Sequence, residues 1–122
     1  MKTIAIIGAS RDRSKFGNKA VRVFIEKGYT VYPVNPKEIE IEGLKVYRSI
    51  LEVPETHLDM VSLYLPPPLG LQAVEDISQK KVGELWLNPG SASDELVEKA
   101  EGLGLTVIQA CSIVGVGGNP NV

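Results

Sequence analysis

One cysteine among 122 residues excludes a disulfide framework and a zinc site built from several cysteines. One histidine, His57, excludes a His-rich metal cluster, and no metal site is expected. Long hydrophobic runs are missing too. The N-terminus carries one lysine, Lys2, then an apolar stretch too short for a signal peptide or a membrane span. The expectation is a soluble, cytoplasmic chain with no membrane contact. The chain is also short for two catalytic units, because domains most often run to roughly 100–150 residues. Residues 1–122 therefore read as a single domain. What is present suits a packed core: 43% hydrophobic and 23% charged residues, near the globular average.

The net charge of −2 hides an asymmetry. Residues 1–48 hold ten Lys/Arg against five Asp/Glu, and residues 49–122 hold three against ten. A basic first part suits a polyanionic ligand. It does not suit nucleic acid, because the basic residues are not interleaved with aromatics and the pI is about 5.4.

Hydrophobic periodicity alternates between strand and helix. Thr3–Ile7 reads as a strand buried on both faces. Gly17–Lys27 reads as a helix with Ala20, Val21, Phe24 and Ile25 on one stripe, stopped by Gly28. Tyr29–Val34 follows as a strand, and Pro33 inside it marks an edge or an end. Lys45–Tyr47 suggests a short strand and Ser49–Leu51 a helical turn. Asp59–Leu65, Glu84–Leu87 and Leu105–Ala110 are further strands. Helices are expected from Pro68 to Ile77 and from Ser93 to Leu103, the latter with Leu96, Val97, Ala100 and Leu103 inward. Ser91 and Asp94 have capping-box spacing before it. Residues 115–122, Gly-rich, are expected to be mobile unless something docks them.

This alternation implies an α/β fold: a doubly wound, Rossmann-like parallel sheet of about five strands, order 3-2-1-4-5, in three α/β/α layers. Ligands of such sheets bind beyond the carboxyl ends of the strands. Four loops lie there, Gly8–Gly17, Asn35–Lys37, Pro66–Pro68 and Asn88–Ser91, all rich in Gly, Pro, Asn or Ser.

The first loop follows a strand and precedes a helix, as a phosphate-binding turn must. Gly8 lets the backbone turn, and Gly17 lets a helix N-terminus approach an anion. Ser10 and Ser14 bring hydroxyls; Arg11, Arg13 and Lys15 bring charge. The alternative is a solvated basic loop. The G-x-G-x-x-G spacing of dinucleotide folds is absent. Where an NAD site needs an acid after the second strand, this chain has Val34-Asn35-Pro36-Lys37. A lysine there points to a phosphorylated ribose, which leaves NADP(H) or coenzyme A (CoA).

The Gly8-Ala9-Ser10 opening with basic residues behind it, Val34–Lys37, Ile41-Glu42-Gly43 followed by Tyr47, Asp59, and Trp86-Leu87 together resemble the CoA-binding domain family over about residues 3–112. These are small Rossmann-like proteins related to the N-terminal domain of the succinyl-CoA synthetase α subunit. The resemblance implies that Ser10, Arg11 and Lys15 hold a diphosphate on a turn shaped by Gly8 and Gly17. It implies that Val34, Asn35, Pro36 and Lys37 cradle the adenosine 3′-phosphate end. Leu65 and Pro66 would line the pantetheine path, with Asn88, Pro89 and Gly90 near its far end. The cofactor implied is coenzyme A or an acyl-CoA, bound without catalytic machinery, with a protein partner or a second copy of the chain as further partners. The alternative is an NADP(H)-binding oxidoreductase or redox-sensing module, which needs a catalytic acid or a substrate domain.

The remaining residues carry plainer expectations. Cys111 reads as a small buried hydrophobe, with a thiol facing the CoA thiol as the sharper alternative. His57 should be exposed, Trp86 should be core, and Tyr64 should be core or a cleft wall. Glu38, Glu40 and Glu42 alternate with Ile39 and Ile41, as on a solvated strand face.

Overall fold

The computed structural model describes residues 2–122. Thr3–Ile7 (β1), Thr30–Val34 (β2), His57–Leu63 (β5), Lys81–Leu87 (β6) and Val107–Gln109 (β7) form one sheet; the hairpin strands Glu40–Ile41 (β3) and Leu44–Lys45 (β4) stand apart. The helices are Phe16–Glu26 (α1), Pro67–Ile77 (α2), Asp94–Gly102 (α3) and Ser112–Gly115 (α4), with a 3-10 turn at Ile50–Glu52.

The five-stranded sheet runs β2-β1-β5-β6-β7, with every neighbouring pair parallel. Outside β2, Tyr47 forms a single parallel bridge with Val34. Counted as a vestigial third strand, that bridge keeps the expected order 3-2-1-4-5, and β7 extends it by one. Pro33 sits in β2 beside this ragged edge, where a missing N–H costs little.

Successive β1 residues point to opposite faces. Ile4 and Ile6 pack with Ala20, Val21 and Phe24 of α1 and Ile113 of α4. Ala5 and Ile7 pack with Val74 and Ile77 of α2 and Leu96 and Ala100 of α3. Helices thus cover both faces, giving three layers. Ile25 and Leu103, expected inward, are both 41% exposed because each lies at the solvent side of a last turn. Val23 is buried in place of Ile25, since the chain after α4 lies over it: a Cβ on Gly118 would stand 2.5 Å from a Val23 methyl.

β5 begins at His57 and ends at Leu63, two residues earlier than the apolar run suggested. Tyr64 and Leu65 therefore belong to the loop at the carboxyl edge. The cap of α3 is Ser93, whose Oγ accepts from the Leu96 N–H at 3.1 Å. Ser91, with the capping-box spacing, is instead buried in the preceding turn. Residues 115–122 lie along α1 here, with Lys19 Nζ donating to the Pro120 carbonyl at 3.2 Å.

Candidate functional site

The carboxyl edge is built first on two glycines. Gly8 has φ +88°, and a Cβ there would stand 2.4 Å from the Tyr64 carbonyl oxygen. A Cβ on Gly17 would stand 2.2 Å from the Gly8 carbonyl oxygen. Only glycine lets the first turn of α1 sit this close to the end of β1. Between them the loop braces itself. Ser10 Oγ accepts from the Asp12 N–H at 3.0 Å, which leaves its own proton free to donate. Asp12 Oδ1 accepts from the Ser14 hydroxyl at 2.6 Å and from the Ser14 N–H at 3.0 Å. Those bonds hold the Asp12 carboxyl below its usual range. Lys15 stands at the cap position of α1, which has no side-chain cap and no acid in its first turn. By contrast, α3 has the Ser93 cap and Asp94 and Glu95 in its first turn. The α1 terminus keeps unmatched positive dipole character.

Two asparagines lock the surrounding loops. Asn35 Nδ2 donates to the Ala9 carbonyl at 2.8 Å, and its Oδ1 accepts from the Lys37 N–H at 2.8 Å and the Glu38 N–H at 3.2 Å. Its side chain thus positions Val34–Lys37 against the first loop. Asn18, fully buried, went unnoticed in the sequence. Its Nδ2 donates to the Ser10 carbonyl at 2.9 Å and to Glu42 Oε2 at 3.1 Å, and its Oδ1 accepts from Arg22 Nε at 2.7 Å. Only its place one residue past Gly17, on the first turn of the helix, could have flagged it.

The charges do not form a uniformly positive cleft. Arg13 pairs with Glu42 at 3.0 Å and Arg11 with Glu38 at 3.8 Å. Arg11, Arg13, Lys37 and the three glutamates Glu38, Glu40 and Glu42 line one polar cavity of about 640 Å³. Glu42 is therefore not on a solvated strand face. It turns inward at φ +49° to meet Arg13 and Asn18. Lys15 and Lys37 have no ion pair among the described residues.

Beside this polar cavity lies an apolar cleft of about 300 Å³ between β1, β2 and α2, with Gly8, Val34, Pro36, Ile50, Leu65 and Ala73 in its wall. Pro66 is the cap residue of α2. Further along the edge, Asn88 is buried with all its polar atoms engaged. Gly90 turns the chain after it at φ +90°. Pro89, Tyr64, Phe16 and Cys111 line a second apolar cavity of about 270 Å³. Tyr64 is thus both a core contact and a cavity wall, and burial pushes its phenol above the usual range, a shift that bonds to Ser112 and Ser62 oppose. Cys111 is half-buried. Trp86, next to the last residue of β6 and expected in the core, is half-buried: it packs against the core on the α1 side, with Nε1 donating to Glu84 Oε1 at 3.2 Å. His57 is exposed, as expected.

Comparison with known proteins fits this geometry. The α subunit of the ADP-forming acetate–CoA ligase I of Pyrococcus furiosus is 37% identical over 123 residues, covering 88% of this chain but 26% of the ligase subunit. The chain therefore spans about a quarter of that relative. A solved structure of a conserved hypothetical protein from Pyrococcus furiosus aligns with TM-score 0.83 and 34% identity, over 94% of this chain and 99% of that one. The uncharacterized protein YneT of Bacillus subtilis is 24% identical over 88% of this chain and 78% of its own length. No helix among the described residues is long and apolar enough to cross a membrane. Residues 2–116 match the family described as the CoA binding domain, and with the glycine-shaped loop at the carboxyl edge of a parallel sheet this chain belongs to that family.

Proposed function

We propose that this chain binds coenzyme A, or an acyl-CoA, and leaves catalysis to other polypeptides. The observation that carries the reading is the uncapped α1 N-terminus, reached through Gly8 and Gly17, in a member of the CoA binding domain family. Backbone N–H groups there favour a diphosphate, and the Ser10 hydroxyl and Lys15 ammonium reinforce them. Arg11 joins when it leaves Glu38. Lys37, without a carboxylate partner among the described residues, takes the 3′-phosphate, while Val34, Asn35 and Pro36 shape the turn that presents it. The adenine fits the apolar cleft of Val34, Ile50 and Leu65. The pantetheine then passes Leu65 and Pro66 towards Asn88, Pro89 and Gly90. Since the ligase relative is one subunit of an assembly, a protein partner that receives the bound cofactor follows from the same reading. The chain acts in the cytoplasm, where CoA is used.

Thermal melting with three ligands tests this. CoA at a hundred times its Kd raises Tm by on the order of 8 °C, and dephospho-CoA at the same concentration by much less. Lys37→Ala weakens CoA by about 1–3 kcal/mol, the scale of a charge-assisted hydrogen bond, and narrows the gap between the two ligands. Equal shifts from CoA and dephospho-CoA would remove Lys37 from the selectivity. A larger shift from NADPH would overturn the CoA reading.

A further inference from the structure

The cavity of about 270 Å³ lined by Phe16, Tyr64, Asn88, Pro89, Cys111 and Val114 is separate from the residues that would hold the nucleotide. Its wall carries no ionised lysine, arginine, aspartate or glutamate. One polar chain ends in it. Asn88 Oδ1 accepts from the Ser112 N–H at 2.8 Å, and Asn88 Nδ2 donates to the Leu63 carbonyl at 2.9 Å. These two backbone partners fix the amide orientation, so the 2.8 Å contact to Ser62 Oγ is also a donation from Nδ2. Ser62 must then donate onward, and Ser112 Oγ is 2.7 Å away. Ser112 in turn lies 3.2 Å from the Tyr64 hydroxyl. If Tyr64 donated to Ser112 as well, that oxygen would accept twice and its own buried proton would be stranded. Ser62 also bonds Tyr64, yet in each arrangement that satisfies every buried proton a serine donates to the phenol oxygen. With Ser112 as that serine, the phenolic proton is left over at the cavity wall. Burial keeps the phenol protonated.

The geometry points to an acyl site: the Tyr64 hydroxyl donates to the thioester carbonyl of a bound acyl-CoA, and the Phe16, Pro89 and Val114 walls take a short, uncharged acyl group. This rests on the CoA reading and extends it to the substrate class. Phe16 heads α1, so the acyl cavity and the diphosphate site flank the same helix terminus, and Pro89 joins it to the far end of the pantetheine path. The volume lies below the roughly 300 Å³ at which sites for drug-sized ligands begin, which suits a short acyl chain and not a long one. Pro120 completes the wall, and the nearest cation, Lys19, is already held by the Pro120 carbonyl at 3.2 Å and lies 4.9 Å from the Phe16 ring, so a terminal carboxylate, as in a succinyl group, would have to win it from those partners.

Isothermal titration of the full chain with CoA, butyryl-CoA and succinyl-CoA tests this. Butyryl-CoA is expected to bind at least about tenfold more tightly than succinyl-CoA, and several-fold more tightly than CoA. Tyr64→Phe should bring the butyryl-CoA to CoA affinity ratio down about threefold or more. Val114→Lys, at a position 58% exposed and so safe for folding, should shift preference towards succinyl-CoA. Equal binding of butyryl-CoA and CoA, or a ratio unmoved by Tyr64→Phe, overturns the acyl site while leaving CoA binding in place. Failure of all three ligands to bind overturns the CoA reading itself, and this inference with it.

Discussion

Asn18 shows how much one buried amide can hold. It joins the Ser10 carbonyl of the first loop, Glu42 of the hairpin and Arg22 of its own helix, with no exposure to water. Removing it leaves a partly buried carbonyl and a partly buried carboxylate short of donors, and the penalty for stranding such groups is about 1–3 kcal/mol each. Asn18→Ala should therefore destabilise the fold by about 2–4 kcal/mol in urea unfolding, with most of the lost order in residues 8–17 and 40–45. A loss under about 0.5 kcal/mol would show that water replaces the amide. At this scale the sequence was only partly legible. Gly8 and Gly17 make the tight turn and the close approach that their residue type announced, whereas Asn35, expected beside a ligand phosphate, is seen bracing the loops. Asn18 and Glu42 went unannounced, because their roles depend on a hairpin meeting α1, and spacing along the chain carries no sign of that contact.

Elements were legible where one periodicity dominated. β1, α1 and β6 are hydrophobic in the pattern of their structure, and they fell within a few residues of expectation. β5 slipped because its apolar run continues through Tyr64 and Leu65, past the last ladder pair Leu63–Leu87. The start of β5 is fixed instead by a polar clasp. Asp59 Oδ2 accepts from the Thr3 N–H at 2.8 Å and the Thr3 hydroxyl at 3.3 Å, and the Thr3 hydroxyl accepts from the Asp59 N–H at 3.1 Å. The Thr3 N–H, chiefly, holds the Asp59 carboxyl below its ordinary value. A carboxyl whose folded pKa is depressed contributes stability above its unfolded value, about pH 3.9, and loses it as pH falls through the lower folded value. Urea midpoints measured from pH 5 down to pH 2.5 should therefore fall less steeply for Asp59→Asn than for the wild type. Parallel curves would remove the clasp from the acid response.

At the scale of the whole molecule, a parallel sheet gathers loops from distant parts of the sequence at one edge, and the alternation of strand and helix alone announces that edge as the candidate site. Its field did not. The basic excess of residues 1–48 suggested a positive pocket, but folding brings Glu38 and Glu42 onto Arg11 and Arg13. A polyanionic ligand must compete with those carboxylates for the guanidiniums. Glu38 is the clean place to test this, because its contact with Arg11 is long, at 3.8 Å, and Glu42 also serves Asn18. Glu38→Gln removes one like charge from the phosphate side and frees Arg11 without touching the core. CoA affinity should then rise about three- to tenfold at 50 mM salt, as expected for removing a partly screened repulsion of about 1 kcal/mol. The gain should shrink towards unity at 1 M salt, where the screening length falls to about 3 Å. An unchanged or weaker affinity at low salt would mean that Arg11 meets its glutamate and not the ligand.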